Sequence, residues 1–374
     1  MRSRKRNIAV LTSSRADYGI YLPLLKKLKD DSRFSLKLIV FGTHLSPYHG
    51  MTIEDIKKDG FDIDYTLNSM LLHDDENAIA TAVSLTMLKF SDFWSEHKDK
   101  FDLVFCLGDR YEMFAAVYAG IPFNMQFAHI HGGETTLGAI DNTYRHAISL
   151  ASDIHFTSHL EYADKVSQLT GSTKIFTTGA LSLENLNELT LYSLEEMKEQ
   201  FTIDFSIPSI LITVHPETVN SDLNSQFGQE CFAAFEDIAD SYQLVITMPN
   251  ADTEGTIFRK IFNKLKVINQ DKILLIENFG TRGYFSAMKL AKFLIGNTSS
   301  GIIEAASFGK YVINLGDRQK GRVRSENVIE VPFRKDSILM AVNELKNDYE
   351  YSGSNVYSKK SSSDEIIDAI LNEE

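Results

Sequence analysis

The sequence predicts an α/β protein made of two Rossmann-like domains with a central cleft. Three observations support this prediction. The chain has 374 residues, which is more than one ordinary hydrophobic core accommodates. Short apolar runs alternate with longer amphipathic segments, a pattern typical of a parallel sheet covered by helices on both faces. A polar region near the middle of the chain interrupts this alternation, which then resumes. The interruption indicates two domains of similar size.

The first half contains six predicted strands, each a short run of mainly apolar residues. They are Ile8–Thr12, Leu36–Val40, Leu103–Leu107, Gln126–Ile130, Ile154–Thr157 and Ile175–Thr178. Amphipathic segments between them predict helices, among them Ile20–Lys29, Ala78–Glu96 and Tyr144–Ala151. We predict that residues 1–182 form the first domain.

The second half repeats the alternation after a polar connecting region. Its predicted strands are Ile210–Val214, Leu244–Thr247, Ile273–Ile276, Phe293–Ile295 and Val312–Leu315. Its predicted helices include Phe232–Asp240, Gly283–Lys289 and Ile302–Phe308. We predict a second domain over residues 183–350. Residues 351–374 are then a connector rich in Ser and Lys, followed by a short helix over Glu365–Asn372.

Composition narrows the class of protein. The net charge of −13 argues against a nucleic-acid partner, because neutralising phosphates requires a basic face. No run approaches the roughly 18 apolar residues of a membrane span. The apolar stretch behind the basic start is too short for a signal peptide. The two cysteines, Cys106 and Cys231, show no pairing motif. We therefore expect a cytoplasmic protein with no membrane or nucleic-acid partner.

Polar and charged residues follow six of the predicted strands. The six stretches are Ser13–Gly19, Gly108–Glu112, His131–Glu134, His215–Glu217, Met248–Asp252 and Gly296–Gly301. Ligands of doubly wound sheets bind at the carboxyl ends of the strands, so the clustering predicts a ligand site. A single polar residue after a strand is often only a helix cap, and for Asp17 a cap and a substrate contact are equally good interpretations.

The stretch after the strand Phe293–Ile295 predicts a phosphate site. Thr298, Ser299, Ser300 and Gly301 open a helix, whose unpaired N–H groups and positive dipole end favour an anion. Glu304, one turn further, can accept hydrogen bonds from a ribose diol. The alternative is a capping box formed by Ser300 and Glu304. We favour the phosphate site because the segment follows a strand in a Rossmann-like half.

Two further signals concern phosphate binding and cofactors. His215 precedes a proline at a strand end and is a candidate to face a phosphate. No G-x-G-x-x-G follows the first strand and no Walker A motif occurs, which argues against a dinucleotide cofactor. His129 and His131 with a later acid could bind a metal, but this combination is frequent by chance. We predict neither a cofactor nor a metal site.

Taken together, these motifs resemble the UDP-N-acetylglucosamine 2-epimerase family over about residues 7–345. The motifs are Arg15–Gly19, Gly108–Glu112, His129–Glu134, Asp141 with Arg145 and His146, His215–Glu217, Asn250–Asp252, Gly296–Gly301 and Gly316–Gln319. The resemblance is strongest to the hydrolysing branch, which supplies N-acetylmannosamine for bacterial sialic acid, and to related enzymes for legionaminic acid. Non-hydrolysing members usually have Thr-Arg-Pro-Glu where this chain has Ser14–Asp17.

The resemblance implies a glycosyltransferase-B-like fold, with the C-terminal helix packing on the first domain. It implies a UDP-sugar substrate, no cofactor or metal, and a homodimer or homotetramer. It also implies a mechanism. UDP leaves by anti elimination to give a 2-acetamidoglucal. Water then adds in the syn sense, so that its hydroxyl and its proton join the same face of the double bond.

The resemblance further implies roles for individual residues. Asp109, His131 and Asp141 match positions of proton transfer. Several family members have glutamate at the position of His131, and Glu134 is the nearest substitute; His215 is also a catalytic candidate. The residues that match substrate contacts are Arg15, Arg110, His215, Asn250, Asp252, Thr298, Ser299, Glu304 and Arg318. The strand-end patterns add Asp17, Ser300 and Gly301 to the candidates for substrate binding.

The main interpretation is a hydrolysing 2-epimerase of UDP-N-acetylglucosamine. One alternative is the same reaction on UDP-2,4-diacetamido-2,4,6-trideoxyglucose. A non-hydrolysing epimerase would instead release a UDP-sugar. A glycosyltransferase of the same fold would need an acceptor-binding face, for which the sequence gives no sign. A nucleotide-sugar sensor is disfavoured by the many acids at the strand ends.

Overall fold

The computed structural model describes residues 4–73, 75–219, 221–249, 255–346 and 350–373. The chain divides into two compact units. The first consists of Met1–Glu134, Asp141–Asn187 and Tyr357–Glu374, and the second of Thr135–Ile140 and Glu188–Val356. The chain therefore leaves the first unit directly after Glu134 and returns to it at Asp141.

The first unit is built on a parallel sheet of seven strands. They are β1 (Arg6–Thr12), β2 (Phe34–Phe41), β3 (Tyr65–Leu67), β4 (Leu103–Leu107), β5 (Phe127–Ile130), β6 (Ile154–Thr157) and β7 (Ile175–Thr177). Their order across the sheet is β3-β2-β1-β4-β5-β6-β7, and every pair is parallel. All five residues of β4 are buried, as expected for a central strand covered on both faces.

Helices connect these strands and cover the sheet. They are α1 (Arg15–Asp30), α2 (Ile53–Lys58), α3 (Glu76–His97), α4 (Tyr111–Gly120), α5 (Asp141–Leu150), α6 (Leu160–Thr170) and the short α7 (Asn185–Glu188). Alternate residues of β1 pack in different clusters: Ile8 and Val10 lie in one, Ala9 and Leu11 in the other. The sheet therefore separates two hydrophobic cores, as the two-sided apolar pattern predicts.

The second unit contains a parallel sheet of six strands. They are β8 (Ser209–Thr213), β9 (Gln243–Thr247), β10 (Ile273–Ile276), β11 (Leu294–Gly296), β12 (Val312–Leu315) and β13 (Val328–Val331), in the order β10-β9-β8-β11-β12-β13. The helices are α8 (Leu194–Phe201), α9 (Asn224–Ala239), α10 (Gly255–Ile268), α11 (Gly280–Leu290), α12 (Ser299–Ile303) and α13 (Lys335–Glu344).

The last helix, α14 (Ser362–Asn372), belongs to the first unit. Its apolar residues Ile366 and Ile370 are fully buried in the same cluster as Leu25 of α1. At its start the backbone N–H of Ser363 donates to the carboxylate of Glu184, at 2.8 Å. The chain end is thus part of the core of the first unit.

The predicted fold class is confirmed, since both parallel α/β sheets are present. The edge strands β3 and β13 were not among the predicted strands. The predicted helix Ile302–Phe308 is instead the five-residue α12 followed by a 3₁₀ turn over Ala305–Phe308.

Both cysteines are buried free thiols. Within the described ranges, no helix combines the length and the apolar character that crossing a membrane requires.

Candidate active site

The strand order of each sheet reverses at one point, and the candidate residues cluster around these points. In the first unit the reversal lies between β1 and β4, and in the second unit between β8 and β11. A crevice opens at such a switch point, outside the carboxyl ends of the two strands. Ser13–Asp17 follows β1 and Gly108–Arg110 follows β4, while His215 and Thr298 follow β8 and β11 closely.

The loop after β1 is organised by the carboxylate of Asp17. It accepts hydrogen bonds from the backbone N–H of Ser13 at 2.9 Å, the hydroxyl of Ser13 at 2.7 Å and the hydroxyl of Thr12 at 2.5 Å. Burial alone would raise the pKa of Asp17, but the His44 side chain and these hydroxyls hold it below its usual value. Asp17 and Ser14 form a complete capping box on α1. The geometry thus gives Asp17 a structural role next to the half-buried Arg15.

A buried arginine joins the residues that follow β4 and β5. The guanidinium of Arg145 donates to the carboxylate of Asp109 and, at 2.8 Å, to the backbone carbonyl of His131. It also lies 3.5 Å from the carboxylate of Glu134. Arg145 is only 2% exposed, whereas the side chain of Asp109 is 25% exposed. A planar guanidinium can serve several acceptors at once, so Arg145 fixes this group of residues.

His131 and Glu134 form a close pair within this group. The Nδ1 atom of His131 lies 2.5 Å from Oε1 of Glu134, and the hydroxyl of Ser158 donates to the same oxygen at 2.8 Å. His131 has a φ of +66°, a left-handed conformation that non-glycine residues seldom adopt and that clusters at functional sites. Gly133 also has a positive φ, and a Cβ there would lie 2.3 Å from the carbonyl oxygen of Tyr162. Gly133 therefore lets the loop approach α6.

His129 supports the loop from within the sheet. Its ring nitrogens lie 3.0 Å from the hydroxyl of Ser149 and 2.9 Å from the carbonyl oxygen of Gly108. Burial lowers the pKa of His129 to about 3, so the ring stays neutral. His129 is therefore a packing residue, and it links the loops after β4 and β5.

The remaining candidates of the first unit lie nearby. Asp141 is the first residue of α5 and is half-buried, and Arg145 follows one turn later on the same helix. Arg110 forms a two-pronged ion pair with Glu112, with N–O distances of 3.1 and 2.9 Å. Glu112 is itself buried, so it orients Arg110 at the start of α4.

In the second unit, Asn297 ties the end of β11 to the end of β8. Its side-chain amide accepts from the backbone N–H of His215 at 2.7 Å and donates to the carbonyl of His215 at 2.9 Å. The approach requires a glycine just before it. Gly296 has a φ of +149°, and a Cβ there would lie 1.8 Å from the carbonyl oxygen of Thr213. His215 is buried and is held by its backbone.

A third loop, after β12, joins this pair. The backbone N–H of Asp317 donates to the carboxylate of Glu217 at 2.6 Å, and the amide of Gln319 donates to the carbonyl of Asn297 at 2.9 Å. Arg318, which is half-buried, lies between these two contacts in the sequence. The loops carrying His215, Asn297 and Arg318 are thus connected to one another, and we call them the three-loop cluster.

Residues Thr135–Ile140 also pack on the three-loop cluster. The backbone N–H of Gly138 donates to the carbonyl of Asp317 at 3.1 Å, and that of Leu137 donates to Lys320 at 2.9 Å. The backbone N–H of Ile140 donates to the hydroxyl of Thr218 at 2.8 Å. Gly138 is so close to the peptide after Asp317 that a Cβ would lie 2.6–2.7 Å from its atoms.

The predicted phosphate segment begins a very short helix. The hydroxyl of Thr298 caps α12 by accepting from the backbone N–H of Ser300 at 3.4 Å. Because Thr298 is the cap, the alternative capping box of Ser300 and Glu304 does not form. Ser299 and Ser300 are half-buried, Gly301 packs on Val312, and Glu304 is 5% exposed at the end of the helix. Asn250 and Asp252, also predicted to bind substrate, lie outside the described residues.

The sequence interpretation assigned no role to Arg145, Ser158, Glu217 or Asn297, although three of them lie within recognised motifs. Their roles depend on hydrogen bonds between loops that are distant in the sequence. One local signal was available, because Arg145 lies four residues after Asp141 and therefore on the same face of a helix.

No group of three potential metal ligands occurs in the part of the chain that the structure describes.

Comparisons with known proteins agree with this architecture. The family model described as UDP-N-acetylglucosamine 2-epimerase matches residues 26–371. The chain is 35% identical over 327 residues to the GDP/UDP-N,N'-diacetylbacillosamine 2-epimerase (hydrolyzing) of Campylobacter jejuni, covering 87% of this chain and 84% of the relative. It is 33% identical over 374 residues to polysialic acid biosynthesis protein P7 of Escherichia coli, covering 98% and 93%.

A solved structure supports the fold. The UDP-GlcNAc 2-epimerase from Neisseria meningitidis bound to UDP-GlcNAc aligns with a TM-score of 0.81, covering 98% of this chain and 100% of that chain. The sequences are 18% identical, so this likeness concerns the fold alone. It confirms the predicted glycosyltransferase-B-like class.

Proposed function

Because the chain belongs to the UDP-N-acetylglucosamine 2-epimerase family, we propose that it is a hydrolysing 2-epimerase of a UDP-linked 2-acetamido sugar. The proposed reaction takes the UDP-sugar and water and yields UDP and the free sugar with inverted configuration at C2. The observation that carries the proposal is the group of Asp109, His131 and Glu134, which Arg145 holds together.

The proposed reaction has two steps. A base removes the proton from C2 while the bond between C1 and the UDP oxygen breaks, which leaves a 2-acetamidoglucal. Water then adds to the double bond: its hydroxyl goes to C1, and a proton goes to C2 on the face opposite to the one that lost it. The chemistry requires proton-transfer groups near C2 and donors that stabilise the departing phosphate.

The two units offer these two kinds of group. We assign proton transfer to Asp109, His131 and Asp141 of the first unit, where carboxylates and an imidazole are concentrated. We assign the UDP moiety to the second unit. The residues proposed to contact it are His215, Thr298, Ser299, Ser300, Gly301, Glu304 and Arg318, with Arg15 and Arg110 as candidates in the first unit.

Two substrates fit the proposal. One is UDP-N-acetylglucosamine, which would give N-acetylmannosamine. The other is UDP-N,N'-diacetylbacillosamine, a 2,4-diacetamido-2,4,6-trideoxyglucose derivative. The activity for which the Campylobacter relative is named favours the second, at 35% identity. The likeness to the polysialic acid protein favours a role in making sialic-acid-type sugars of a cell-surface polysaccharide.

The decisive experiment is incubation of the purified enzyme with each UDP-sugar separately, in water and in deuterated water, with products identified by NMR. We expect free UDP, a free 2-epimer, and deuterium at C2 of the product. The better substrate is the one with the higher kcat/KM. A product without deuterium at C2 would rule out elimination. A UDP-linked epimer would indicate the non-hydrolysing reaction, and UDP release only with an added acceptor would indicate a glycosyltransferase.

A further inference from the structure

The pair His131 and Glu134 is placed by two neighbouring strands. His131 follows β5 and Ser158 follows β6, and the two strands are adjacent in the sheet. The backbone N–H of His131 donates to the carbonyl of Phe156 on β6 at 2.9 Å. Glu134 receives the hydroxyl of Ser158 on the same oxygen that faces His131. The imidazole and the carboxylate are therefore both held on the edge of a rigid sheet.

The surroundings of Glu134 determine which nitrogen of His131 carries a proton. The Glu134 carboxylate is 1% exposed, accepts from Ser158, and has the guanidinium of Arg145 at 3.5 Å. These neighbours are a donor and a cation, so they favour the ionised carboxylate, which can only accept hydrogen bonds. The Nδ1 atom of His131, 2.5 Å away, must then be the donor. In a neutral imidazole this leaves the lone pair on Nε2.

The Nε2 atom of His131 is buried and has no hydrogen-bond partner within the described residues. Its ring is held in place from the other side by a 2.5 Å contact, and its backbone has the uncommon φ of +66°. Buried polar atoms are normally paired, and an exception at an otherwise fully bonded ring indicates that a ligand supplies the partner. Strained backbone at such a position is typical of functional sites.

We propose that Glu134 and Ser158 are positioning residues, which fix His131 as the Nδ1–H tautomer so that its Nε2 atom exchanges the C2 proton. This inference rests on the proposed epimerase function. In the step, the Nε2 lone pair takes the proton from C2, and the C2–H electrons form the double bond as UDP leaves with the C1–O pair. The imidazolium that results is stabilised by the carboxylate of Glu134, as in other carboxylate–histidine pairs. The alternative is that Glu134 itself exchanges the proton and His131 only orients it.

The variant His131→Asn separates these two roles. The amide nitrogen of asparagine takes the place of Nδ1–H and can still donate to Glu134, but nothing replaces Nε2. Asparagine also tolerates the left-handed backbone conformation better than most residues. If His131 exchanges the proton, this variant should lose turnover by roughly 10²-fold or more, with UDP affinity nearly unchanged. Turnover close to that of the wild type would overturn the proposal and assign proton exchange to Glu134.

Glu134→Ala and Ser158→Ala test the positioning residues, and Glu184→Ala is the matched control. Glu184 is another buried glutamate of the first unit and also accepts from a serine, but that serine, Ser363, belongs to the start of α14. We expect Glu134→Ala to lower kcat roughly 10²-fold with little change in UDP affinity. Ser158→Ala should lower kcat about fivefold, the typical effect of one hydrogen bond. Glu184→Ala should leave kcat per folded molecule unchanged. Equal losses in Glu134→Ala and Glu184→Ala would indicate a merely structural role.

A spectroscopic measurement tests the tautomer without any substrate. Side-chain ¹⁵N spectra of histidine-labelled enzyme distinguish Nδ1–H from Nε2–H, and the signal of His131 is the one that disappears in His131→Asn. We expect the Nδ1–H form in the wild type and a mixture in Glu134→Ala. An Nε2–H form in the wild type would overturn the proposal. If the Nδ1–H form is found but no UDP-sugar is turned over, the positioning of His131 stands and the proposed function fails.

Discussion

The guanidinium of Arg145 donates to the carboxylate of Asp109 while it also donates to the backbone carbonyl of His131. One buried cation thus positions two proton-transfer candidates that follow different strands. Arg145 lies one turn after Asp141 on α5, so the same helix also carries the third candidate. The arrangement makes the relative positions of these groups depend on a single side chain.

Arg145→Met should therefore lower turnover more than UDP affinity, by roughly 10²-fold, because proton-transfer groups lose their fixed positions. It should also destabilise the fold. The loss should approach the ~3–5 kcal/mol typical of breaking a buried ion pair, because the carboxylate of Glu134 stays buried without its cation, although solvent can replace the arginine at the 25% exposed Asp109. Arg145→Lys keeps the charge but not the fork and should recover stability better than turnover. Urea unfolding and steady-state kinetics measure the two effects, and a loss of stability alone would limit Arg145 to a structural role.

Much of the fold was predictable because central strands of parallel sheets are continuous apolar runs. Runs such as Leu103–Leu107 carry this signal in full. The edge strands Tyr65–Leu67 and Val328–Val331 carry little of it, because they are short and contain exposed or half-buried residues. The membership of Thr135–Ile140 in the second unit was not predictable, since it depends on backbone hydrogen bonds from Leu137 and Gly138 to Lys320 and Asp317, which are far away in the sequence.

The location of the candidate residues at strand ends was predictable, but the hydrogen bonds between their loops were not. Polar residues after apolar runs placed Asp109, His131 and His215 at strand ends, because parallel strands bring their carboxyl ends to one edge. Which side chains bond to one another depends on the packing of loops. The sequence therefore gave no reason to connect Ser158 with Glu134, or Glu217 with the N–H of Asp317. For Asp17 the cap interpretation from the sequence was sufficient, because its carboxylate accepts hydrogen bonds from its sequence neighbours Thr12 and Ser13.

Asp109→Asn and Asp141→Asn should each lower turnover by about 10²–10⁴-fold, the usual effect of removing a general acid or base. UDP affinity should change little, since both residues are assigned to proton transfer and not to contacts with the UDP moiety. Asp153→Asn is a suitable control, because Asp153 accepts from the N–H of Phe127 at the opposite end of β5. Turnover and UDP titration are measured for all three. Weakened UDP binding with unchanged turnover would reassign Asp109 or Asp141 to substrate binding.

Glu304→Ala should weaken UDP affinity by roughly 1–3 kcal/mol if its carboxylate binds the ribose hydroxyls. Glu304 is buried at the end of α12, and Thr298 rather than Ser300 caps that helix, so a capping-box role does not explain the residue. Glu304→Gln keeps the size and one acceptor and should lose less affinity. Calorimetric titration with UDP measures both. Unchanged binding in folded Glu304→Ala would exclude Glu304 from the nucleotide site.

Two buried histidines should make stability depend on pH. Burial lowers the pKa of His129 to about 3 and that of His155 to about 4, from an ordinary value of 6.5. Between about pH 4 and 6.5 the unfolded chain binds protons at these positions and the folded chain does not. The free energy of unfolding should therefore fall as the pH drops through this window. Above the window, the stability that the two neutral histidines allow should be retained in full. Urea unfolding at pH 7.5 and pH 5 measures the difference.

The contribution of His155 can be isolated by substitution. Both of its ring nitrogens are buried and have no hydrogen-bond partner within the described ranges, so phenylalanine can replace the ring without breaking a bond. His155→Phe should reduce the loss of stability between pH 7.5 and pH 5. His73→Gln, at an exposed position, should leave that loss unchanged. The same pH dependence in His155→Phe as in the wild type would attribute the effect to other groups.

Gly138→Ala should weaken UDP binding through the three-loop cluster. Its new Cβ would lie 2.6–2.7 Å from the peptide that joins Asp317 to Arg318, and backbone atoms cannot move aside as a flexible side chain can. Relieving the overlap displaces the loop that carries Arg318, and such overpacking costs typically about 1–3 kcal/mol. Leu137→Ala is the matched control, because that side chain is 55% exposed and its backbone bond to Lys320 is kept. Calorimetry should show weaker UDP binding for Gly138→Ala alone, and equal affinity in both variants would mean that this contact does not position Arg318.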